Sequence, residues 1–259
     1  MINVPMKSSA PLTRQTITSI NNIKVQPPLN KKEINTLNIS YKNTCTSDNR
    51  NNVSQNEEIK TVTKNLPTVP DMTLPPLLHT TKKGQKVPLF AANSSIKLKA
   101  CLGWNVSNPE CDVDVSAFML NSTGKVPGDD WFVFYGQSTS PDGSILFKAN
   151  EKSDRESITI DLTKLNPIVS KIVFVLTINE AYEKKLNFSM IKDAYVRILN
   201  SSNNSELVSF KMDEYYSNVT SMMIGEIYLH NGNWKFNAIG NGVAKDLAGL
   251  CKLYGVQVV

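Results

Sequence analysis

The chain from about residue 81 onward alternates apolar and polar positions in short runs that turn signals separate. Such alternation is typical of strands with one buried face. Residues 172–178 instead form a continuous apolar run rich in β-branched side chains, as expected of a strand buried on both faces. The pattern predicts strands at 96–102, 113–120, 131–135, 144–148, 158–162, 172–178, 194–199, 206–212, 222–230 and 233–238.

Turn signatures and a few helical segments complete the pattern. In Pro141-Asp142-Gly143 the glycine tolerates the positive φ that a turn can require. Asn231-Gly232 is a strong signal for a tight hairpin. Short helical turns are predicted at 163–169, 181–185 and 188–191, and an amphipathic helix near 243–254. Together these elements predict an all-β fold, an antiparallel β-sandwich of two sheets with a few short helices and a C-terminal helix.

Composition divides the chain into two parts. All 12 glycines lie at or after Gly84, and of the 20 aromatic residues only Tyr41 precedes residue 81. A segment so poor in core residues cannot offset the entropy of ordering. We therefore expect residues 1–80 to be a disordered N-terminal tail and linker, and residues 81–259 to form the sandwich domain.

Charge and cysteine content narrow the function classes. The net charge of +5 comes mostly from residues 1–80, which carry 9 Lys and Arg against 5 Asp and Glu. No dense basic block occurs, so we expect no nucleic-acid partner. The N-terminus lacks the apolar core of a signal peptide, and no apolar run is long enough for a transmembrane segment. We expect a cytoplasmic protein whose cysteines are buried or idle thiols, although two of them could meet across a hairpin: Cys101 and Cys111.

Catalytic signatures are weak. With only two histidines in the chain, no Ser-His-Asp grouping can be assembled with conviction, and we predict that the protein is not an enzyme. Gly240-Asn241-Gly242 fails the phosphate-loop pattern and is interpreted as a turn between a strand and a helix. His230 is interpreted as a surface histidine of the predicted hairpin. Glu226, inside an apolar strand, calls for a partner, either Arg197 or a metal.

Two acidic pairs are the most informative candidates. Asp112 and Asp114 alternate along a predicted strand and share one face, where like charges repel each other. A second pair follows at Asp129 and Asp130. A hard cation such as Ca²⁺, which takes several oxygen ligands, would offset the repulsion. The alternative is that the carboxylates are solvated at the end of an edge strand.

Several strings, in a fixed order, make the chain from about residue 83 to residue 259 resemble the TerD family. The first is Asp112-Val-Asp-Val-Ser-Ala-Phe-Met-Leu, and the others lie at 124–126, 129–135, 140–143, 171–178, 187–198, 225–236 and 240–256. The family covers tellurium-resistance proteins, bacterial general stress proteins and some eukaryotic proteins described as cAMP-binding. The resemblance implies a β-sandwich that binds Ca²⁺ through acidic loops and has a stress-response or tellurium-resistance role.

By position, the resemblance assigns metal ligation to Asp112, Asp114, Asp129 and Asp130. The third acidic loop departs from the family pattern, because here it is short, lacks glycine and carries cations. Its remaining oxygen donors are Asn150, Glu151, Asp154 and Glu156. The cations Lys148, Lys152 and Arg155 should weaken Ca²⁺ binding, and one of the family's two sites is expected to be weakened or lost.

The resemblance leaves a second function open. A small-ligand module that recognises cAMP would need a basic phosphate-binding patch. The close cluster Lys82, Lys83 and Lys86 is the candidate for such a patch. Other TerD-like proteins are a further expected class of partner.

Overall fold

The computed structural model describes residues 71–91, 96–149 and 154–258. Its strands are β1 (Thr80–Thr81), β2 (Lys86–Ala91), β3 (Lys97–Val106), β4 (Val113–Leu120), β5 (Phe132–Val133), β6 (Ile145–Ala149), β7 (Glu156–Asp161), β8 (Lys171–Ile178), β9 (Ile191–Asn200), β10 (Glu206–Lys211), β11 (Ser221–His230) and β12 (Asn233–Val243). Short 3₁₀ turns span Asp129–Trp131 and Phe188–Met190, and one α-helix, α1, spans Leu247–Tyr254.

The strands form two six-stranded sheets. Sheet I has the order β1-β10-β9-β3-β7-β6, and sheet II has the order β2-β12-β11-β8-β4-β5. Neighbouring strands are antiparallel except for β1 and β10, which pair in parallel. The predicted two-sheet β-sandwich is therefore confirmed.

The main core fills the space between the sheets. Alternate residues of the inner strands, such as Leu98, Ala100 and Leu102 of β3, are fully buried there. A second apolar cluster lies on the other side of sheet II, where α1 packs against Phe118 of β4 and Val173 and Val175 of β8. Since β8 is covered on both sides, its run of apolar residues is continuous, as the sequence predicted.

The hairpin between β11 and β12 also follows the sequence. Asn231 and Gly232 both have positive φ, 49° and 68°, as a two-residue hairpin turn with the twist of the flanking strands requires. His230 pairs with Asn233 at the end of this hairpin and is exposed. The interpretation of His230 as a surface residue is therefore confirmed.

The start of the C-terminal helix differs from the prediction. Gly240-Asn241-Gly242 is not a turn into the helix but continues β12, paired with β11. A Cβ at Gly242 would lie 2.6 Å from the Val219 side chain, so the glycine lets the two segments approach. The helix begins at Leu247, after Asp246, whose carboxylate accepts a hydrogen bond from the Gly249 amide at 2.8 Å.

Three further details depart from the predicted elements. The run 131–135 is a strand only at Phe132–Val133, because Asp129–Trp131 is a 3₁₀ turn. The segments 163–169 and 181–185 contain hydrogen-bonded turns but no helix. Cys101, Cys111 and Cys251 are buried free thiols, so the possible bridge between the first two is absent, whereas Cys45 lies outside the described residues.

The N-terminal boundary of the sandwich lies earlier than predicted. The division between residues 80 and 81 cuts β1, and residues 71–79 make hydrogen bonds to the domain. These contacts involve backbone groups, which composition does not reveal. The predicted disorder of residues 1–70 concerns residues outside those that the structure describes. Within the described ranges, no helix has the length and apolarity to cross a membrane.

Candidate functional site

Asp112 and Asp114 lie at the start of β4, at one end of sheet II. Asp114 lies opposite Thr177 of β8, and the carbonyl oxygen of Asp112 accepts a hydrogen bond from the Asn179 amide at 2.8 Å. Their neighbours Val113 and Val115 are buried in the core, so the two aspartates share the opposite face of the strand. The sequence-based pairing of these carboxylates on one face is therefore correct.

Glu156 brings a third carboxylate to this end of the sandwich. It begins β7 of sheet I on the same side of the strand as the core residues Ile158 and Ile160, so its side chain lies between the sheets. Its Oε2 accepts a hydrogen bond from the Val115 amide of β4 at 2.8 Å. Strand β5 pairs with β4 only at Ala117 and Phe118, so the Glu156 carboxylate takes the place of a strand partner for this amide.

The environment of Glu156 disfavours its charged form. Burial raises the pKa of its carboxyl from 4.5 to about 7, the Val115 amide opposes the shift, and the negative charge of Asp112 adds to it. The charge of Arg155 lowers this pKa by a smaller amount. Asp112 and Glu156 are therefore coupled electrostatically, although they come from different sheets.

Tyr135 is the fourth residue of this group, because its phenol is influenced by the charges of the two aspartates. Burial raises the pKa of its phenol well above the ordinary range, and the charges of Asp114 and Asp112 raise it further. Its hydroxyl is buried and makes no hydrogen bond to the described residues. The sequence gave no signal that Tyr135 would lie beside these carboxylates. We call Asp112, Asp114, Tyr135 and Glu156 the acidic end.

Asp154 has a different environment. Its carboxylate accepts hydrogen bonds from Arg197 Nε at 3.0 Å, Arg197 Nη2 at 2.8 Å and the Tyr195 hydroxyl at 2.8 Å. This ion pair is buried, with the Asp154 side chain 3% exposed. Both carboxylate oxygens are thus engaged in hydrogen bonds, and Asp154 could bind a metal only if these bonds were broken.

The ion pair also corrects the predicted partner of Glu226. Because Arg197 pairs with Asp154 in sheet I, Glu226 of sheet II pairs instead with Lys171, at 3.0 Å. Asn237 donates a further hydrogen bond to Glu226 at 3.0 Å.

Asp129 and Asp130 lie toward the opposite end of β4. The register pairs Phe118 with Phe132, and four residues of strand, about 14 Å, separate Phe118 from Asp114. Asp129 accepts a hydrogen bond from the Gln257 amide at 2.8 Å, beside the end of α1. The structure therefore does not bring this pair together with Asp112 and Asp114, and a metal role for it stays a prediction.

The loop after β6 lies partly outside the described residues. The positions of three predicted site residues are therefore not described: Asn150, Glu151 and Lys152. Of the other predicted cations, Lys148 is exposed in β6, whereas Arg155 donates from Nε to the Trp104 carbonyl oxygen at 2.6 Å and lies over the Trp104 ring. Within the described ranges, no group of three or more His, Cys, Asp or Glu side chains is arranged to hold a metal ion.

The acidic end nevertheless has the donor chemistry of a hard-cation site. Its carboxylates are oxygen donors, and the charge of Arg155 offsets the buried negative charge of Glu156 only in part. The described donors are too few for a complete Ca²⁺ shell, and residues 150–153, which precede Asp154 in the sequence, lie outside the described ranges. The fit to Ca²⁺ therefore depends on oxygen atoms that Asn150 and Glu151 would contribute.

Fold and site together define a two-sheet β-sandwich with an acidic end. The sequence model of the TerD domain matches residues 78–254. The chain therefore belongs to the TerD domain family.

Proteins similar to this chain are named for tellurium resistance or for general stress. It is 39% identical over 184 residues to the tellurium resistance protein TerD of Serratia marcescens, covering 68% of this chain and 96% of that protein. It is 36% identical over 186 residues to general stress protein 16U of Bacillus subtilis, with the same coverage of 68% and 96%. A crystal structure of a protein of unknown function, SAV2460, is 21% identical, with a TM-score of 0.48 over 60% of this chain and 94% of that one.

Proposed function

We propose that this protein is a non-enzymatic Ca²⁺-binding protein with a stress-response or tellurium-resistance role, and that the acidic end is its metal site. The observation that carries the proposal is the coupling between Asp112 and the buried Glu156. Glu156 accepts a hydrogen bond from the amide that follows Asp114, and burial and the charge of Asp112 raise its pKa to about 7. A bound cation would favour the ionised form of all three carboxylates.

The ligands in this proposal come from two strands and one loop. Asp114 of β4 and Asp112, which directly precedes this strand, supply carboxylate oxygens, and Glu156 supplies one from β7. Ca²⁺ takes 6–8 oxygen ligands, and the sequence-based candidates for the remaining ones are Asn150 and Glu151, which lie outside the described residues. Asp154 supports the site only indirectly, by fixing the end of the loop to Arg197.

The proposed site is weak. Lys148 and Lys152 flank the ligand loop in sequence, and Glu156 must lose its proton before it can bind a cation. We expect a Kd on the order of 10⁻⁵ to 10⁻³ M, in the range of low-affinity Ca²⁺ sites. Affinity should rise with pH through about 7, as Glu156 ionises.

Calorimetric titration of the EGTA-stripped full chain with Ca²⁺ tests the proposal. The variant Asp112→Asn with Asp114→Asn should lose the binding heat and the rise in stability, which for the parent chain is about 2.7 kcal/mol at a hundredfold excess over Kd. The matched control is Asp129→Asn with Asp130→Asn, which removes equal charge at the other end of β4 and should leave Ca²⁺ binding at the acidic end unchanged. Equal Ca²⁺ binding by the first variant and the parent would overturn the assignment.

The same titration with cAMP tests the alternative. Of the proposed basic cluster, Lys83 pairs with Glu214 at 2.7 Å, so part of its charge is already compensated. We therefore expect no cAMP binding at concentrations where Ca²⁺ binds. Saturable cAMP binding in EGTA would favour the small-ligand module instead.

A further inference from the structure

Residues 71–79, which we call the strap, run along sheet I without regular secondary structure. At one end Asp71 pairs with Lys192, near the start of β9, at 2.8 Å. At the other end the strap continues into β1, which pairs with β10. Between these points two buried side chains, Asn105 and Glu206, bind the backbone of the strap.

The first contact is a two-point clamp. The Asn105 side chain accepts a hydrogen bond from the Met72 amide at 2.8 Å and donates one to the Met72 carbonyl oxygen at 3.1 Å. Asn105 is only 2% exposed, and its Nδ2 also lies 3.3 Å from Asp193 Oδ2. One amide side chain therefore satisfies both backbone groups of a residue, as a neighbouring strand would.

The second contact uses a carboxylate. Glu206 Oε1 accepts hydrogen bonds from two successive amides, Leu78 at 2.9 Å and His79 at 2.7 Å. Glu206 is 8% exposed, so these charge-assisted bonds form in a largely buried position. The His79 carbonyl oxygen then accepts from the Ser209 amide at 2.9 Å, which starts the pairing of β1.

The spacing of the two clamps selects an extended chain. Asn105 pairs with Lys192 of β9, and Glu206 pairs with Leu199 of the same strand. These two positions on β9 are seven residues apart, which is about 24 Å along the strand. Six residues from Met72 to Leu78 reach at most about 22 Å, so the strap must be almost fully extended and the clamp side chains cover the remainder. Pro75-Pro76 restricts the strap to extended conformations and so lowers the entropy lost on docking.

The family model matches the clamp residues but not most of the strap. Both clamps lie inside the matched range 78–254, whereas residues 71–77 lie outside it. The relatives are covered over 96% of their length by a match that leaves about a third of this chain outside. The clamps therefore lie inside the range that the family model matches, and most of the segment that occupies them precedes it.

We propose that Asn105 and Glu206 form a docking site on sheet I for an extended, proline-containing peptide with an acidic N-terminal end, and that the strap occupies this site within its own chain. Because the clamps bind backbone groups, the site accepts the same segment supplied by another molecule once its own strap is released. Lys192 accounts for the preference for an acidic residue ahead of the first clamp. This inference is independent of Ca²⁺ binding.

The test uses the full chain with Met72→Pro and Leu78→Pro, which remove the amide that donates to Asn105 and one of the two amides that donate to Glu206. A fluorescein-labelled peptide of residues 70–80 with the parent sequence is titrated and followed by anisotropy. We expect saturable binding to this variant and at least tenfold weaker binding to the parent chain, whose own strap competes. The same peptide carrying both prolines should not bind.

Further substitutions in the released variant locate the site. Adding Asn105→Ala should abolish peptide binding, and adding Glu206→Gln should weaken it at least severalfold. Asn233→Ala, in the hairpin of sheet II, is the matched control and should leave binding unchanged. Absence of peptide binding by the released variant, with its melting temperature and circular dichroism retained, would overturn the docking site. Binding that survives Asn105→Ala would overturn its location.

Hydrogen exchange of the parent chain provides an independent readout. The amides of Met72, Leu78 and His79 should be protected, and Asn105→Ala should remove the protection at Met72. Rapid exchange at all three amides in the parent would show that the strap does not occupy the clamps and would overturn the proposal.

Discussion

Glu156 should make the stability of this protein depend on pH in a direction opposite to that of an ordinary carboxylate. Burial raises its pKa from 4.5 to about 7, so between these values the folded state holds a proton that the unfolded state has lost. The contribution of Glu156 to the free energy of unfolding is therefore greatest below about pH 4.5. It is lost as the pH rises through 7. The difference between the two pKa values corresponds to about 3 kcal/mol at 1.36 kcal/mol per unit.

The substitution Glu156→Gln isolates this effect. Glutamine keeps the shape of the side chain and an oxygen acceptor for the Val115 amide, but it cannot ionise. In EGTA, urea unfolding of the variant and the parent should give similar free energies near pH 5. At pH 8 the variant should be more stable by about 3 kcal/mol, because only the parent must hold a buried charge.

The control is Glu183→Gln, at an exposed position. This substitution should shift unfolding little at any pH. Parallel free-energy curves for the parent and Glu156→Gln from pH 5 to pH 8 would refute the reasoning, because they would show that Glu156 titrates alike in both states.

Two further predictions concern the outer side of sheet I. Arg197→Met should destabilise the fold by about 3–5 kcal/mol in urea unfolding, because it leaves the buried Asp154 carboxylate without its cation, and adding Asp154→Leu should recover most of the loss. If the single and double variants are equally destabilised, the ion pair is not the cause. Gly103→Ala should cost about 1–3 kcal/mol, since its Cβ would lie 2.5 Å from the Tyr195 ring. The comparison variant is Gly84→Ala, where φ is +79° but no atom lies near the added Cβ. It should cost about 1–2 kcal/mol from backbone strain alone. Adding Tyr195→Leu should restore stability to the Gly103→Ala variant and not to the Gly84→Ala variant.

The sequence predicts most of the sandwich because alternation reports burial directly. It missed β2, whose run contains Pro88, a residue that interior strands exclude. The structure allows this proline because β2 lies at the edge of sheet II. It also missed β1, since two residues carry no periodicity. At the C-terminus, the paired glycines resemble a turn until the approach of Val219 to Gly242 is known.

The candidate site was predictable only in part, for a similar reason. The alternation of Asp112 and Asp114 is local, so their shared face follows from the sequence. The partners Arg197 for Asp154 and Lys171 for Glu226 depend instead on which strands are neighbours, and strand order is not written in any single run. The separation of Asp129 and Asp130 from the first pair likewise required the register of β4 and β5.

The four edges of the two sheets bear on how the protein behaves at high concentration. Open edges present unpaired amides and carbonyl groups, and long flat ones add strands from other molecules and seed aggregates. Here β1 and β5 have only two residues each, β2 carries Pro88, and β6 exposes Lys148. Each edge thus has a short length, a missing donor or a charge that discourages intermolecular pairing. Within the described residues, these features disfavour the addition of a strand from a second molecule to either sheet.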